Sequence, residues 1–346
     1  MRTILFTACL VLACDVGLAQ ESREKPKQLG ALSQYVGYWT SDVTSKLAEW
    51  SPQEVKYRTT NHAMFMLNGW FLVHSEVSHV VGDPSQVAKS LFVWTYDPSM
   101  EKYVGWSFQS SGNISKVTGT WDAVSKTFSH AESEPPPNTT SKLTETFVNN
   151  DTINGSLVFT SNNGGGKLFD MVWTRSRRKD LPDPATQERW AMIGKPIQPI
   201  PNEVKTLDLF VGTRDVEFIQ QPSLTVPQGS TAKGTMSGQW ILDGRFLFGE
   251  TKLPNFQSLW VMGYDTNKRT FRYVLFGSNG LIDENVGKWN EAERVFDWKQ
   301  VNLAPELTRT STTRRLDEGR VESHIVTKNQ AGQIQLDLTI KATPQK

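Results

Sequence analysis

Hydrophobic and polar positions alternate in short runs along most of the chain. Segments 89–96, 103–110, 117–121, 143–148, 153–160 and 168–174 are rich in β-branched and aromatic residues, and Gly, Asn, Asp or Pro divide them. That punctuation predicts strands joined by tight turns. The firmest hairpin surrounds Asn68-Gly69, a dipeptide that supplies the positive φ of a two-residue type I′ turn. Pairing about it sets Met66 opposite Phe71, Phe65 opposite Leu72 and Met64 opposite Val73, and both faces are partly apolar. Helical spacing is confined to two short stretches, 28–35 (Leu29, Leu32) and 203–210 (Leu207, Phe210).

The pattern occurs twice. Val36-Gly37 returns as Val211-Gly212, and Leu67-x-Gly69-x-Phe71-Leu72 returns as Leu242-x-Gly244-x-Phe246-Leu247, both at a spacing of 175. The second turn, Asp243-Gly244, keeps the chemistry of the first. Further on the spacing is 168: Ser90-Leu91-x-Val93-x-x-Tyr96-Asp97 matches Ser258-Leu259-x-Val261-x-x-Tyr264-Asp265, and Gly119-x-Trp121 with Phe128 matches Gly287-x-Trp289 with Phe296. Twelve of the 41 residues from 90 to 130 are identical to their partners, so the copies are homologous. Copy one carries seven extra residues near Gly82-Asp83-Pro84, which places them in a turn.

Each copy is expected to hold about ten strands, too many for a flat open sheet of its size and suited to a closed barrel. The fold class is therefore all-β: two tandem up-and-down antiparallel barrels, each with a short N-terminal helix closing one end. Residues 20–178 form the first barrel domain and 202–346 the second. Between them 179–201 is a stiff linker, with Pro182, Pro184, Pro196, Pro199 and Pro201.

The first 19 residues read as a secretory signal peptide, with a basic start, an apolar run and small residues before a cleavage position ahead of Gln20. The chain is expected to be exported, to the periplasm or the outside, and no later run is long enough for a membrane helix. Cys9 and Cys14 are the only cysteines and both lie in this leader, so the mature protein is expected to have neither disulfides nor thiolate chemistry. Val11-Leu12-Ala13-Cys14 also loosely resembles a lipobox, with lipid anchoring at Cys14 as the minor alternative. The charge is nearly balanced, 37 basic against 36 acidic residues, which argues against nucleic acid as a partner.

A short helix leading into Val36-Gly37-Tyr38-Trp39, a Gly-x-Phe-Leu hairpin, a Tyr-Asp turn and a Gly-x-Trp strand together resemble a family of exported bacterial proteins known only as a domain of unknown function. That family is similar to the lipocalin and fatty-acid-binding (calycin) barrels. The resemblance covers most of the mature chain, twice. Gly37-x-Trp39 also resembles the lipocalin opening motif, which implies that Trp39 plugs the barrel base; copy two departs from it with Gly212-Thr213-Arg214.

The candidate chemistry is sparse. No Gly-x-Ser-x-Gly or His-Glu-x-x-His motif is present, and Gly164-Gly165-Gly166-Lys167 reads as a hairpin turn. His74 and His79 point to opposite faces of a strand; His74 and Glu76 share one but make an incomplete metal pair, read as a solvated strand edge. His324 is the haem-ligand candidate, by resemblance to nitrobindin-type barrels, with an exposed or hydrogen-bonded strand histidine as the alternative. Glu250 follows Phe246 and Phe248 on one hairpin face, entering the barrel or ending at its wet rim. The aromatic positions that persist in both copies, Phe71/Phe246, Tyr96/Tyr264 and Trp121/Trp289, are a common core or a common pocket. With Trp39 and Arg245 they complete the candidate ligand-binding set.

These features leave the function unknown and favour a non-catalytic, lipocalin-like binding module for a small apolar or amphipathic molecule, with no cofactor. Two alternatives stand beside it. One is a structural or protein-interaction component of the cell envelope, with two solid barrels and an inter-barrel interface or exposed apolar patch. The other is a calycin-type enzyme or haem protein.

Overall fold

The computed structural model describes residues 24–179 and 199–345. The expected leader and most of the Pro-rich segment lie outside the described residues. Each copy is a closed barrel of ten antiparallel strands connected in chain order. The first comprises β1 Gly37–Ser45, β2 Val55–Met66, β3 Phe71–Val80, β4 Asp83–Asp97, β5 Lys102–Gln109, β6 Ile114–Asp122, β7 Thr127–Glu132, β8 Thr139–Asn149, β9 Thr152–Ser161 and β10 Lys167–Arg178. The second comprises β11 Gly212–Gln220, β12 Ser230–Ile241, β13 Phe246–Leu253, β14 Phe256–Asp265, β15 Thr270–Gly277, β16 Ile282–Asn290, β17 Val295–Gln300, β18 Leu307–Arg315, β19 Val321–Asn329 and β20 Ile334–Pro344. Pairing of β1 with β10 and of β11 with β20 closes each ring, so neither barrel presents a free strand edge. No helix among the described residues is long and apolar enough to cross a membrane.

The helices seal the end at which β1 and β11 begin. In the first copy Leu29–Leu32 is α-helical and runs on as the 3₁₀ turn Ser33–Tyr35, burying Leu29, Leu32 and Tyr35. In the second a 3₁₀ helix, Asn202–Phe210, buries Val204, Leu207, Leu209 and Phe210. Trp39 lies just inside, with Nε1 donating to the Tyr35 carbonyl at 2.7 Å and the Arg177 guanidinium 4.1 Å from its ring. Arg214 holds the corresponding place in copy two and donates to the carbonyls of Leu209 and Gly319. Either residue caps the barrel base, one with a ring and one with hydrogen bonds to the helix end.

The Asn68-Gly69 hairpin keeps the register expected from sequence, Met66 against Phe71 through Met64 against Val73. Asn68 (φ 58°, ψ 27°) and Gly69 (φ 83°) form the type I′ turn, closed by Trp70 N–H donating to Leu67 O at 3.3 Å. The ladder stops one pair early, because Leu67 is itself left-handed (φ 52°), as is Leu242 (φ 51°) in copy two. That conformation costs a leucine roughly 1–2 kcal/mol; both side chains are buried, which offsets it. The seven extra residues of copy one do not swell a turn. They lengthen the arms, β3 being two residues longer than β13 and β4 five longer than β14, with two-residue connections in both copies.

The repeated Gly-x-Trp has a packing cause. Gly119 lies under the ring of His130 and Gly287 under the ring of Trp298, each on the neighbouring strand. A Cβ at Gly287 would stand 2.3 Å from the Trp298 ring. Gly287→Ala is therefore expected to destabilise the protein by about 1–3 kcal/mol, as measured by chemical denaturation. A stability equal to wild type would contradict this packing.

The barrels meet through one shared face. Phe71, Leu91, Val93, Trp106, Phe108 and Ile114 point outward from the first barrel and join a single buried cluster with Phe246, Phe248, Leu259, Val261, Val274 and Phe276 of the second. The contacts are reciprocal. Phe71 packs edge-on against Phe276 (5.2 Å), and its counterpart Phe246 packs against Phe108 (5.7 Å), the counterpart of Phe276. Trp70 lies on Gly280, and its counterpart Arg245 lies on Gly112, the counterpart of Gly280. Lys116 meets its own counterpart Glu284 at 2.9 Å. These relations are those of an isologous dimer interface within one chain, with Lys116 and Glu284 beside the pseudo-two-fold axis.

Candidate functional site

Following strand partners around the first barrel shows which side chains face its interior. Val43, Phe92, Trp94, Val117, Leu143, Leu157 and Met171 do, and each keeps solvent-accessible surface despite pointing inward. The outward Phe71, Leu91, Val93 and Phe108 are by contrast fully covered by the second barrel. The partly accessible apolar side chains share the inward face with polar ones, and the helix closes one end of this cup.

Polar groups are set into this wall. Glu145 accepts from the Tyr35 hydroxyl (2.7 Å) and Trp173 Nε1 (3.2 Å) and pairs with Arg175 at 3.2 Å; the two charged side chains are only 11% and 8% exposed. Burial and the nearby Glu145 carboxylate hold the Tyr35 hydroxyl well above the ordinary tyrosine range. Next to this pair His74 and Glu76 project from β3. The Asn61 amide satisfies its neighbours when its nitrogen donates to Glu76 Oε2 (3.0 Å) and its oxygen accepts from Ser41 Oγ (3.1 Å). Burial raises the Glu76 carboxyl above the usual carboxylate range, with the Arg175 charge opposing. Burial, with help from Arg175, keeps the His74 ring well below the usual imidazole value, and its Nε2 has no partner. Glu76 points inward by its strand pairing and retains some accessible surface.

His130 lies between Trp94 (4.8 Å) and Phe128 (5.4 Å), and burial lowers it to about 4. The unfolded chain binds its proton near 6.5, so below that pH unfolding takes up a proton that the folded state refuses. Stability is full above pH 6.5 and falls as the pH drops toward 4, by about 3 kcal/mol for this residue. Copy two carries Trp298 here. His130→Trp is expected to flatten the loss between pH 7 and pH 4.5 by about 2–3 kcal/mol in denaturant titrations. Identical pH dependence in variant and wild type would count against a neutral buried ring.

The polar set belongs to copy one alone. Positions of Ser41, Asn61, His74, Glu76, His130 and Glu145 are taken in copy two by Val216, Met236, Gly249, Thr251, Trp298 and Thr313, and Arg175, which pairs with Ser41, is replaced by Ala342, which pairs with Val216. The second barrel closes without these groups. They are therefore not a requirement of the fold.

The residues singled out in the sequence are dispersed. Trp39 lies at the base of the cup, and Tyr96 and Trp121 pack inward on Tyr103 (5.1 Å) and Phe128 (4.5 Å). Tyr264 and Trp289 repeat this in the second barrel on Phe271 (5.1 Å) and Phe296 (4.7 Å). Phe71 and Phe246 are neither core nor pocket of their own barrels but the seam between them. Arg245 borders that seam and donates to the Pro199 carbonyl at 2.8 Å. Glu250 shares the outward face of Phe246 and so does not enter the barrel; it is partly exposed and pairs with Lys252 at 3.0 Å. His324 also points outward, half-exposed against Asp337 (2.9 Å), out of reach of a haem held inside. His74 and Glu76, read as a solvated edge, instead face the cup. Among the described residues no group of three or more His, Cys, Asp or Glu is placed to hold a metal ion. Sequence reading missed Tyr35, Asn61, Glu145 and Arg175, although the contrast between aligned copies carries their signal.

No curated protein matches the chain. Among solved structures it is similar to an S-type phycobiliprotein lyase, CPES, from Guillardia theta (15% identity, 44% of this chain and 93% of that one, TM-score 0.33). It is also similar to Rv2717c from M. tuberculosis (14% identity, 45% and 100%, TM-score 0.36). A third is a protein of unknown function from the DUF3598 family of Nostoc punctiforme (11% identity, 92% and 100%, TM-score 0.28). Residues 25–178, the first barrel with its helix, match the model of a family described as Protein of unknown function (DUF1579), the kind of family that the repeated motifs resemble.

Proposed function

We propose that the first barrel is the binding module of this chain and takes a small amphipathic molecule into its cup, while the second barrel supports it through the shared face. One observation carries the reading: the first barrel sets Asn61, His74, Glu76 and the Glu145–Arg175 pair among its inward side chains, and in the second barrel those positions are apolar or small, its own buried pair, Arg309 with Asp283, being placed elsewhere. In this reading residues 1–19 export the chain, and the ligand is met outside the cytoplasm.

The test is a fluorescence titration of the full chain with N-phenyl-1-naphthylamine, a neutral apolar probe. Leu157 faces the cup between Leu143 and Met171. Leu157→Trp is expected to weaken the probe at least about ten-fold by filling the space, and Leu275→Trp in the second barrel to leave it unchanged. Loss of binding in the second variant and not the first would reject the assignment.

A further inference from the structure

The polar groups of the cup also bear on what its ligand carries at the polar end; this step rests on the binding reading above. We infer that the ligand is an amphiphile whose head donates hydrogen bonds and bears no negative charge, an alcohol or amine and not a carboxylate or phosphate. An anionic head buried in such a cup needs an uncommitted cation, since an unpaired buried charge is strongly disfavoured. Among the described residues the cations inside the first barrel, Arg175 and Arg177, are both engaged. Arg175 is paired with Glu145, and Arg177 donates to the carbonyls of Val36, Gln34 and Asn150, lies over Trp39 and pairs with Asp151.

The acids are in the opposite situation. Glu76 faces the cup with an amide donor from Asn61 and, among the described residues, no cation in salt-bridge contact. One of its carboxyl oxygens stays available as an acceptor. His74 stands beside it with Nε2 unpartnered and its side chain nine-tenths buried. An uncharged imidazole and a carboxyl group together receive a donating head; a carboxylate there would meet Glu76 at close range with no compensating charge.

Displacement of N-phenyl-1-naphthylamine from the full chain by dodecanol, dodecylamine and dodecanoate, each below its aggregation concentration, tests this. Dodecanol or dodecylamine is expected to displace the probe at a concentration at least ten-fold lower than dodecanoate, and Glu76→Gln to shrink that ratio at least three-fold. Dodecanoate displacing as well as the other two, an unchanged ratio in the variant, or displacement by none of the three would overturn the inference while leaving the binding reading intact. If the probe itself does not bind, the binding reading fails first, and this inference with it.

Discussion

Replacing Phe276 by aspartate is expected to split the unfolding of this protein into two transitions, one for each barrel. Phe276 is fully buried, and its ring meets both Phe71 (5.2 Å) and Trp106 (5.3 Å) of the first barrel. Removing such a ring costs about 3–5 kcal/mol, and a carboxylate in the same apolar seam adds the penalty of an unpaired buried charge. Cations between the barrels are engaged, Lys116 with Glu284, Arg272 also with Glu284, and Lys89 with Asp243. With each barrel closed by its own ladder, the damage falls on the coupling between barrels more than on either one. Wild type should melt as one unit and the variant in two steps, the first lower by on the order of 10 °C, with gain of binding to an apolar dye as the seam opens. A single, slightly shifted transition would show that the barrels are not coupled through this face.

That face explains why the sequence yielded the barrels and misread their aromatic positions. Alternation reports which residues share a side of a strand, and so the register about Asn68-Gly69 was legible to the residue. It does not report which side is inward. Phe71 and Phe246 persist between copies because both line the seam, and they were indistinguishable from core on periodicity alone. The hairpin did carry the needed signal, since both of its faces are apolar: Leu72 fills the barrel and Phe71 and Val73 are covered from outside. A strand apolar on both sides has two burial surfaces to satisfy.

The site was less legible for a different reason. Its groups come from strands far apart in sequence, Tyr35 from the helix, Asn61 and His74 from the first hairpin, Glu145 and Arg175 from the last strands, and no local motif joins them. Glu145 looks ordinary in its own segment, a single polar residue between the apolar inward neighbours Leu143 and Phe147. The signal lies in the comparison of copies, because a position that is Glu in one and Thr in the other cannot be dictated by the common fold. The same comparison shows why Lys116 and Glu284 differ: two lysines or two glutamates at a self-meeting position would repel, and the opposite charges favour pairing of unlike copies.

Glu145→Gln is expected to be the most damaging conservative substitution inside the first barrel. The amide oxygen can still accept from Trp173 Nε1 while its NH2 donates to the Tyr35 hydroxyl oxygen, so the shape and two hydrogen bonds survive; what is lost is the charge that compensates Arg175, which is 8% exposed. Breaking a buried pair by removing one partner costs about 3–5 kcal/mol, whereas removing both is often close to neutral. Copy two makes the second half of that statement specific to this fold, for its barrel closes with Thr313 and Ala342 at the corresponding positions. The double variant Glu145→Gln, Arg175→Met is therefore expected to recover most of the lost stability in denaturant titration, with an unchanged dependence on denaturant concentration. A single variant as stable as wild type would mean that solvent reaches the pair, and a double variant as unstable as the single would mean that the pair is structural after all. The expected result leaves a folded barrel without this buried ion pair, in which the contribution of the pair to ligand binding is measured free of its contribution to folding.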